Sequence, residues 1–381
     1  MILARILALC FLTSNRRKSQ AVIHCFYIYS GIVARMVPSI IAHLELNPEE
    51  VVIVTDRSQT STSVSPGWNS ENAGFSPLLN RWRTLPCDWR TILENSNRIR
   101  EITGNREFVA YLPSPSDTIC QQILWHPLCQ RYWLIEEGLG SYCPPGVSPV
   151  HLKPFTRFQE LQLGARIRAL GRIAPTTTDY PHWPSKYAGA FGSNAATFPD
   201  FPAPVINLNH PLYQPVSSPI TRLVVFDDFS AFHPDLRTAY LEIVREVVAN
   251  EHEGGDHWAY KLHPRCAAWP ELREQARAIF HQSLPQGTPC DALPPDACAE
   301  DLGLSRLVTT YGYMSSCLFY IHQCGGKVAS FKHLLENREP RFRASWQRFF
   351  PPVLDPLVGG YRMLGENHFH QPSIRAVTEI G

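Results

Sequence analysis

Three short runs in this 381-residue chain carry side chains that could do chemistry. The first is RYWLIEEG, in which Glu136 and Glu137 follow an apolar stretch and precede Gly138. Adjacent carboxylates oppose each other's charge, which readies one of them to accept a proton as a general base; the plainer alternative is a strand-end acid pair in water. The second is KLHP, Lys261 to Pro264, where His263 ends an apolar run and the proline behind it stops a strand and fixes the backbone beside the imidazole. His-Pro as a dipeptide says little, since His126, His210 and His233 are also followed by proline. Position at a strand end is what singles out His263 as a ligand-facing group. The third run is Ser315-Ser316, where two hydroxyls join the unpaired N–H groups of a helix's first turn. Such a turn binds phosphate through its amides and its dipole, although serine also simply caps helices.

The elements that must position these residues are legible around them. AVIHCFYIYSG reads as a strand ending at Ser30-Gly31, VARMVPSIIAHL has helical spacing, and VVIVTDRS reads as a second buried strand. EFVAYLPSP, DTICQQILWH and RYWLIEEG continue the strand, helix, strand alternation. Continuous apolar strands of this kind belong to parallel sheets covered by helices on both faces. The two glutamates then fall at a strand's C-terminal end, where open α/β sheets place their ligand crevice. From Gly171 to Pro219 the chain is dense in Pro, Gly, Thr and Ser, as an interdomain connection would be. Beyond it TRLVVFDDFS, HPDLRTAYLEIVREVVAN, HWAYKLHPR, WPELREQARAIFHQ, SRLVTT, SSCLFYIHQC and KVASF repeat the α/β plan. Asp227 and Asp228, at the end of the first of these strands, suit a turn or helix cap better than a ligand contact, and Ser30 and Gly31 suit a plain turn.

Composition narrows the class. The net charge is +1 with both signs interspersed, which provides no field for nucleic acid, and an apolar content of 44% against 18% charge belongs to a folded globular chain. Eleven cysteines contain no C-x-x-C pair and favour a reducing compartment over a disulfide scaffold or a zinc site. No H-E-x-x-H, P-loop, G-x-G-x-x-G or D-x-D occurs, so metal-independent chemistry is expected. MILARILALCFLT is too short to span a bilayer and is followed, not preceded, by its basic cluster. An apolar leader over 1–20, outside the folded core, is the expectation.

The order E-E-G, K-x-H-P and S-S at a helix start resembles the bacterial sialyltransferases, including the capsular polysialyltransferases and the lipooligosaccharide sialyltransferases. Their signatures are a D/E-D/E-G motif, an HP motif and an S-S/T motif. The resemblance runs from about Ala21 to about Ser330, and PPDACAEDLGLSRL is similar to the stretch in which an acid, here Glu300, contacts the nucleotide. It implies an α/β chain of two facing Rossmann-like domains, the glycosyltransferase B-type fold, with an interdomain cleft. The implied division is a leader at 1–20, an acceptor domain at 21–205, a nucleotide-sugar domain at 206–350, and a tail at 351–381 packing back on the first domain.

The implied activity moves sialic acid from CMP-sialic acid to a sugar hydroxyl with inversion, the CMP-sugar being a substrate and no metal or cofactor being needed. Glu136 or Glu137 would be the base, with Glu137 favoured by its place beside Gly138. His263 would protonate or hydrogen-bond the phosphate, Ser315 and Ser316 would hold it, and Pro264 and Glu300 would complete the donor site. Lys261 would add charge there or stand as a solvated strand residue. The acceptor would be a glycan or glycolipid of the cell surface, read by first-domain loops such as 58–74, with Ser30 and Gly31 available to line that side. The expected location is the bacterial cytoplasm, peripheral to the inner membrane. The same motif logic belongs to Kdo transferases, whose donor is CMP-Kdo; a nucleotide-sugar 2-epimerase and a non-catalytic glycan-binding relative are the other readings.

Overall fold

Fully buried strands of Val, Ile, Phe and Tyr, alternating with helices, build two parallel sheets in this computed structural model. It describes residues 22–55, 69–72, 85–114, 117–143, 153–154, 181–182, 184–201, 204–208, 213–294, 297–344 and 354–365. The leader expected at 1–20 and most of the loop at 58–74 lie outside the described residues. The chain divides into two units, the first comprising Met1–Glu137, His151–Gly192 and Phe201–Leu208, the second Gly138–Val150, Ser193–Asp200 and Asn209–Gly381.

In the first unit β1 (Ile23–Ile28), β2 (Val51–Thr55), β3 (Asn69–Asn72), β4 (Phe108–Leu112) and β5 (Cys129–Ile135) alternate with α1 (Gly31–His43), α2 (Leu85–Ile102) and α3 (Thr118–Trp125). A short pair, β6 (Lys153–Pro154) with β7 (Pro181–His182), stands apart from the main sheet, and β8 (Tyr187–Gly192) and β9 (Val205–Asn207) complete it. Its order is β3-β2-β1-β4-β5-β8-β9, and every pairing is parallel. Cys25 of β1 sits between Val52 and Ala110, which centres β1 in the sheet and explains why Ile23, Phe26, Tyr27 and Ile28 have no exposed surface.

One expectation changes here. The Pro- and Gly-rich stretch at 171–219 is not only a connection, because β8 and β9 within it extend the first sheet. Strand β8, YAGAFG, carries small residues for a packing reason. A Cβ on Gly189 would lie 2.4 Å from the Trp133 ring and 2.5 Å from the Pro204 carbonyl, so only glycine lets that ring and that strand close in. The residues at 171–180, 183, 202–203 and 209–212 lie outside the described residues.

The second unit contains β10 (Arg222–Val225), α4 (Pro234–Glu251), β11 (Trp258–Lys261), α5 (Pro264–Ala267), α6 (Pro270–Ser283), β12 (Cys290–Ala292), α7 (Ala299–Gly303), β13 (Thr309–Gly312), α8 (Ser316–Gln323), β14 (Lys327–Ser330), α9 (Lys332–Arg338), α10 (Asp355–Val358) and β15 (Arg362–Met363). Its sheet order, β12-β11-β10-β13-β14-β15, is again wholly parallel and is the doubly wound dinucleotide-binding order. Tyr240, Ile243, Val244, Val247 and Val248 recur at helical spacing along α4 and bury its inner face in the same core as Trp258, Phe226 and Phe280.

Where it is described, the tail at 351–381 is part of the second unit's sheet and core: β15 pairs with β14, Leu364 N–H donates to Ser330 O at 2.8 Å, and Tyr361 and Leu364 join the second core. Arg362 fastens this edge by pairing with Glu251 and lying 5.9 Å over the Tyr311 ring. Residues 345–353 and 366–381 lie outside the described residues.

The chain thus has the α/β class expected, two Rossmann-like units in one polypeptide. In each sheet the winding reverses beside the first strand, between β1 and β4 and between β10 and β13. The carboxyl ends of those strands are where such sheets bind ligands. Among the described residues no helix is long and apolar enough to cross a membrane.

Candidate functional site

In the first unit the acid pair leaves the end of β5. Glu136 has no exposed surface and its N–H donates to Phe191 O at 3.0 Å, so it belongs to the sheet. Glu137 is half-buried and accepts a hydrogen bond from the hydroxyl of Tyr29, the residue that follows β1. Burial, first, and the charge of Glu137, second, push the Tyr29 phenol well above its ordinary value, so it remains a donor to that carboxylate. The two acids therefore have different environments, one enclosed and one reachable. Ser30 sits at the N-cap of α1, but its hydroxyl makes no cap bond and finds no partner among the described residues.

The chain enters the second unit at Gly138. This glycine has a φ of +126°, outside the range of ordinary side chains, and a Cβ there would stand 2.7 Å from Ser316 Oγ. The glycine of the acid motif and the second serine of the serine motif, both in the second unit, are thus in van der Waals contact. The turn that follows, Leu139–Tyr142, lies on the same helix through Tyr142, whose ring meets Phe319 edge-on at 4.6 Å.

Ser315 is the N-cap of α8, its Oγ accepting the Cys317 N–H at 3.2 Å, so its hydroxyl is engaged by the helix. Ser316, half-buried, is the first residue of α8. Glu300 lies in the first turn of α7, against the same helix: the Cys298 thiol reaches its Oε2 at 3.4 Å, and the buried Cys317 thiol, held protonated chiefly by desolvation, bonds to it as well. Glycine makes that approach possible, since a Cβ on Gly303 would strike Ile321 at 2.3 Å. Lys261 ends β11 half-buried and gives its ammonium to the Ala297 carbonyl. It braces the segment leading to Glu300 and is not a freely solvated strand residue.

His263 follows β11 and caps the short helix α5, its Nδ1 accepting the Arg265 N–H at 3.3 Å. With Nδ1 an acceptor, the ring's proton is on Nε2. The side chain is 40% exposed. Pro264 is the first residue of α5 and is exposed, where its fixed φ suits a helix start.

The acids at the end of β10 stand at the turn expected of them, and their carboxylates are engaged there. Asp228 precedes the single turn Phe229–Ala231 but makes no side-chain cap bond to it. It accepts from Arg265 Nη1 at 3.1 Å and from the Ser230 hydroxyl, and it lies 3.9 Å from His263 Nδ1. Asp227 accepts the Tyr240 hydroxyl at 3.2 Å. Burial raises its pKa to about 6 despite that donor. Sequence reasoning weighed both acids and set them aside; the signal it had was two carboxylates in a row at a strand end.

No family model matches the chain, and no curated protein matches it. Among solved structures it is similar to the UDP-GlcNAc 2-epimerase from Methanocaldococcus jannaschii, at 8% identity and a TM-score of 0.43 over 91% of this chain and 90% of that one. It is similar also to the trehalose-6-phosphate synthase OtsA, at 9% identity and 0.41 over 88% and 93%. A third is the spinosyn rhamnosyltransferase SpnG complexed with thymidine diphosphate, at 12% and 0.37 over 91% and 93%. Likenesses this remote say nothing of substrate or reaction.

Proposed function

We propose that the protein is an inverting glycosyltransferase that moves sialic acid from CMP-sialic acid to the hydroxyl of a glycan or glycolipid. The observation that supports this reading most is the contact of Gly138 with Ser316, which brings the glycine of the acid motif against a serine motif far from it in sequence. His263 and the Ser315-Ser316 turn follow β11 and β13, on either side of β10, so they stand at the carboxyl end of one sheet.

In the proposed reaction Glu137 takes the proton of the acceptor hydroxyl as its oxygen bonds to the anomeric carbon. The bond from that carbon to the phosphate oxygen breaks, and CMP departs. His263 Nε2–H meets the charge that grows on the leaving oxygen, while Ser316 and the first amides of α8 hold the phosphate. Glu300, beside α8, is the group offered to the nucleoside, and Lys261 holds the segment that carries it. Glu136, enclosed in the sheet, supports the strand end. The reaction as drawn requires no metal or cofactor, and peripheral attachment to the cytoplasmic face of a bacterial inner membrane would suit a soluble donor and a lipid-linked acceptor.

The test offers the purified protein CMP-sialic acid, CMP-Kdo and UDP-N-acetylglucosamine side by side and follows products by mass spectrometry. CMP release from CMP-sialic acid above the other donors is expected. Turnover of UDP-N-acetylglucosamine alone would replace the proposal with an epimerase, and turnover of CMP-Kdo alone with a Kdo transferase.

A further inference from the structure

Glu300 has an acidic neighbour, Asp301, whose bonds go to a different part of the chain. We infer that Asp301 is a positioning residue for the proposed donor site: it straps α7 to the segment Tyr213–Val216 and so holds Glu300 where a nucleoside can meet it. The inference rests on the role proposed for Glu300.

Asp301 Oδ1 accepts the Gln214 N–H at 2.9 Å, and the Asp301 backbone oxygen accepts the Val216 N–H at 3.3 Å. Pro215 stands between those two amides and has no N–H of its own, so both backbone donors of the stretch go to one residue. Tyr213, the residue before them, is buried, and its ring lies 5.7 Å from that of Tyr320 in α8. The segment is thus anchored on both helices of the proposed donor site, on α7 by hydrogen bonds and on α8 by packing. Helix α7 needs such anchorage because it has only 5 residues, too few for a helix to hold its shape and direction alone. Its other fastenings come from elsewhere: the Lys261 ammonium donates to the Ala297 carbonyl on the side of β11, and Gly303 closes on Ile321, which a Cβ there would strike at 2.3 Å. Asp301 supplies the third side. Within the turn itself the Cys298 thiol donates to Glu300 Oε2 at 3.4 Å.

Asp301 need not touch substrate. Glu300 is the group offered to the nucleoside, whereas the phosphate is assigned to His263 and the start of α8. An α7 released from its strap should therefore cost affinity for a nucleotide and leave affinity for phosphate alone, a division that general unfolding would not produce.

The experiment compares Asp301→Ala and Asp301→Asn with wild type in the full chain, first without ligand and then by titration with CMP and with inorganic phosphate. Without ligand, Asp301→Ala should speed amide hydrogen exchange at Gln214 about tenfold. It should also speed alkylation of the half-buried Cys298 by iodoacetamide about threefold, while the exposed Cys324 reacts as before. With ligand, it should weaken CMP binding about fivefold, leave phosphate binding unchanged, and raise KM for the donor about fivefold while kcat moves little. Asp301→Asn, which loses the charge but keeps an acceptor oxygen, should stay within about twofold of wild type throughout. Unchanged exchange and alkylation in Asp301→Ala would overturn the inference, as would equal losses for CMP and phosphate, or an Asp301→Asn protein as impaired as Asp301→Ala. Should Asp301→Ala fail to fold, Asp301→Ser, which suits a helix's first turn but has a shorter side chain, takes its place with the same expectations. Wild-type protein that binds no CMP would refute the proposed function, and the two ligand-free measurements would still decide whether Asp301 holds α7.

Discussion

Glu136 and Glu137 are neighbours in sequence with separate environments, and the proposed function assigns the base to the more exposed of the two. Glu136 is wholly enclosed, whereas Glu137 is half-buried and held by Tyr29. Glu137→Gln should therefore lower transfer by a factor of roughly 10² to 10⁴ without changing the melting temperature, the loss expected of a general base. His263→Ala should do likewise through the leaving group, and steady-state rates of CMP release check both. Asp227 supplies a prediction in pH. Its folded pKa, about 6, lies above the ordinary carboxylate range, so the folded state holds a proton that the unfolded state has released. The stabilising effect of that proton is full at low pH and is lost as pH rises through about 6. Relative to wild type, Asp227→Asn should thus gain stability of about 2 to 3 kcal/mol between pH 4 and pH 7, measurable from urea midpoints. The three motifs could be read in the sequence because each lies at the end of a strand that announces itself. The partners of Asp227 and Asp228 could not, because they come from α4 and α5, which only the folded sheet brings near.

Elements built of Val, Ile and aromatic residues, such as β1, β2 and β10, were legible from composition alone. Strand β8 was hidden because Gly189 and its alanine neighbours answer to the Trp133 ring and not to strand propensity, and the two-residue β15 has no local signal at all. Close approach is again the issue at Gly138, where the element following β5 meets α8. Gly138→Ala meets two penalties, a φ of +126° and a Cβ 2.7 Å from Ser316 Oγ. It should destabilise the protein by about 1–3 kcal/mol and weaken CMP binding, as seen by calorimetry. Adding Ser316→Gly should remove the clash but not the torsional strain, and so recover only part of the stability.

At the level of the whole molecule the chain has two cores, one under each sheet, and an edge strand near the C-terminus belongs to the second. Leu364→Ala should cost about 2–5 kcal/mol, because the side chain is fully buried, and should lower the thermal transition of the second unit while leaving that of the first in place. The doubling of the α/β plan was evident from the order of strands and helices, but the tail's allegiance was not, since an aromatic, Pro-rich segment can cover either core. The central claim is that the second unit is the one that receives the CMP moiety, with His263 and the start of α8 on its phosphate. The most direct measurement is nuclear magnetic resonance of the labelled full-length protein during CMP titration, following the His263 ring nitrogens and the amides of Ser315 to Cys317. Saturable shifts at those groups, with Glu300 responding and UDP producing less, are the predicted result; saturable CMP binding that leaves His263 and the α8 amides unmoved would contradict the account.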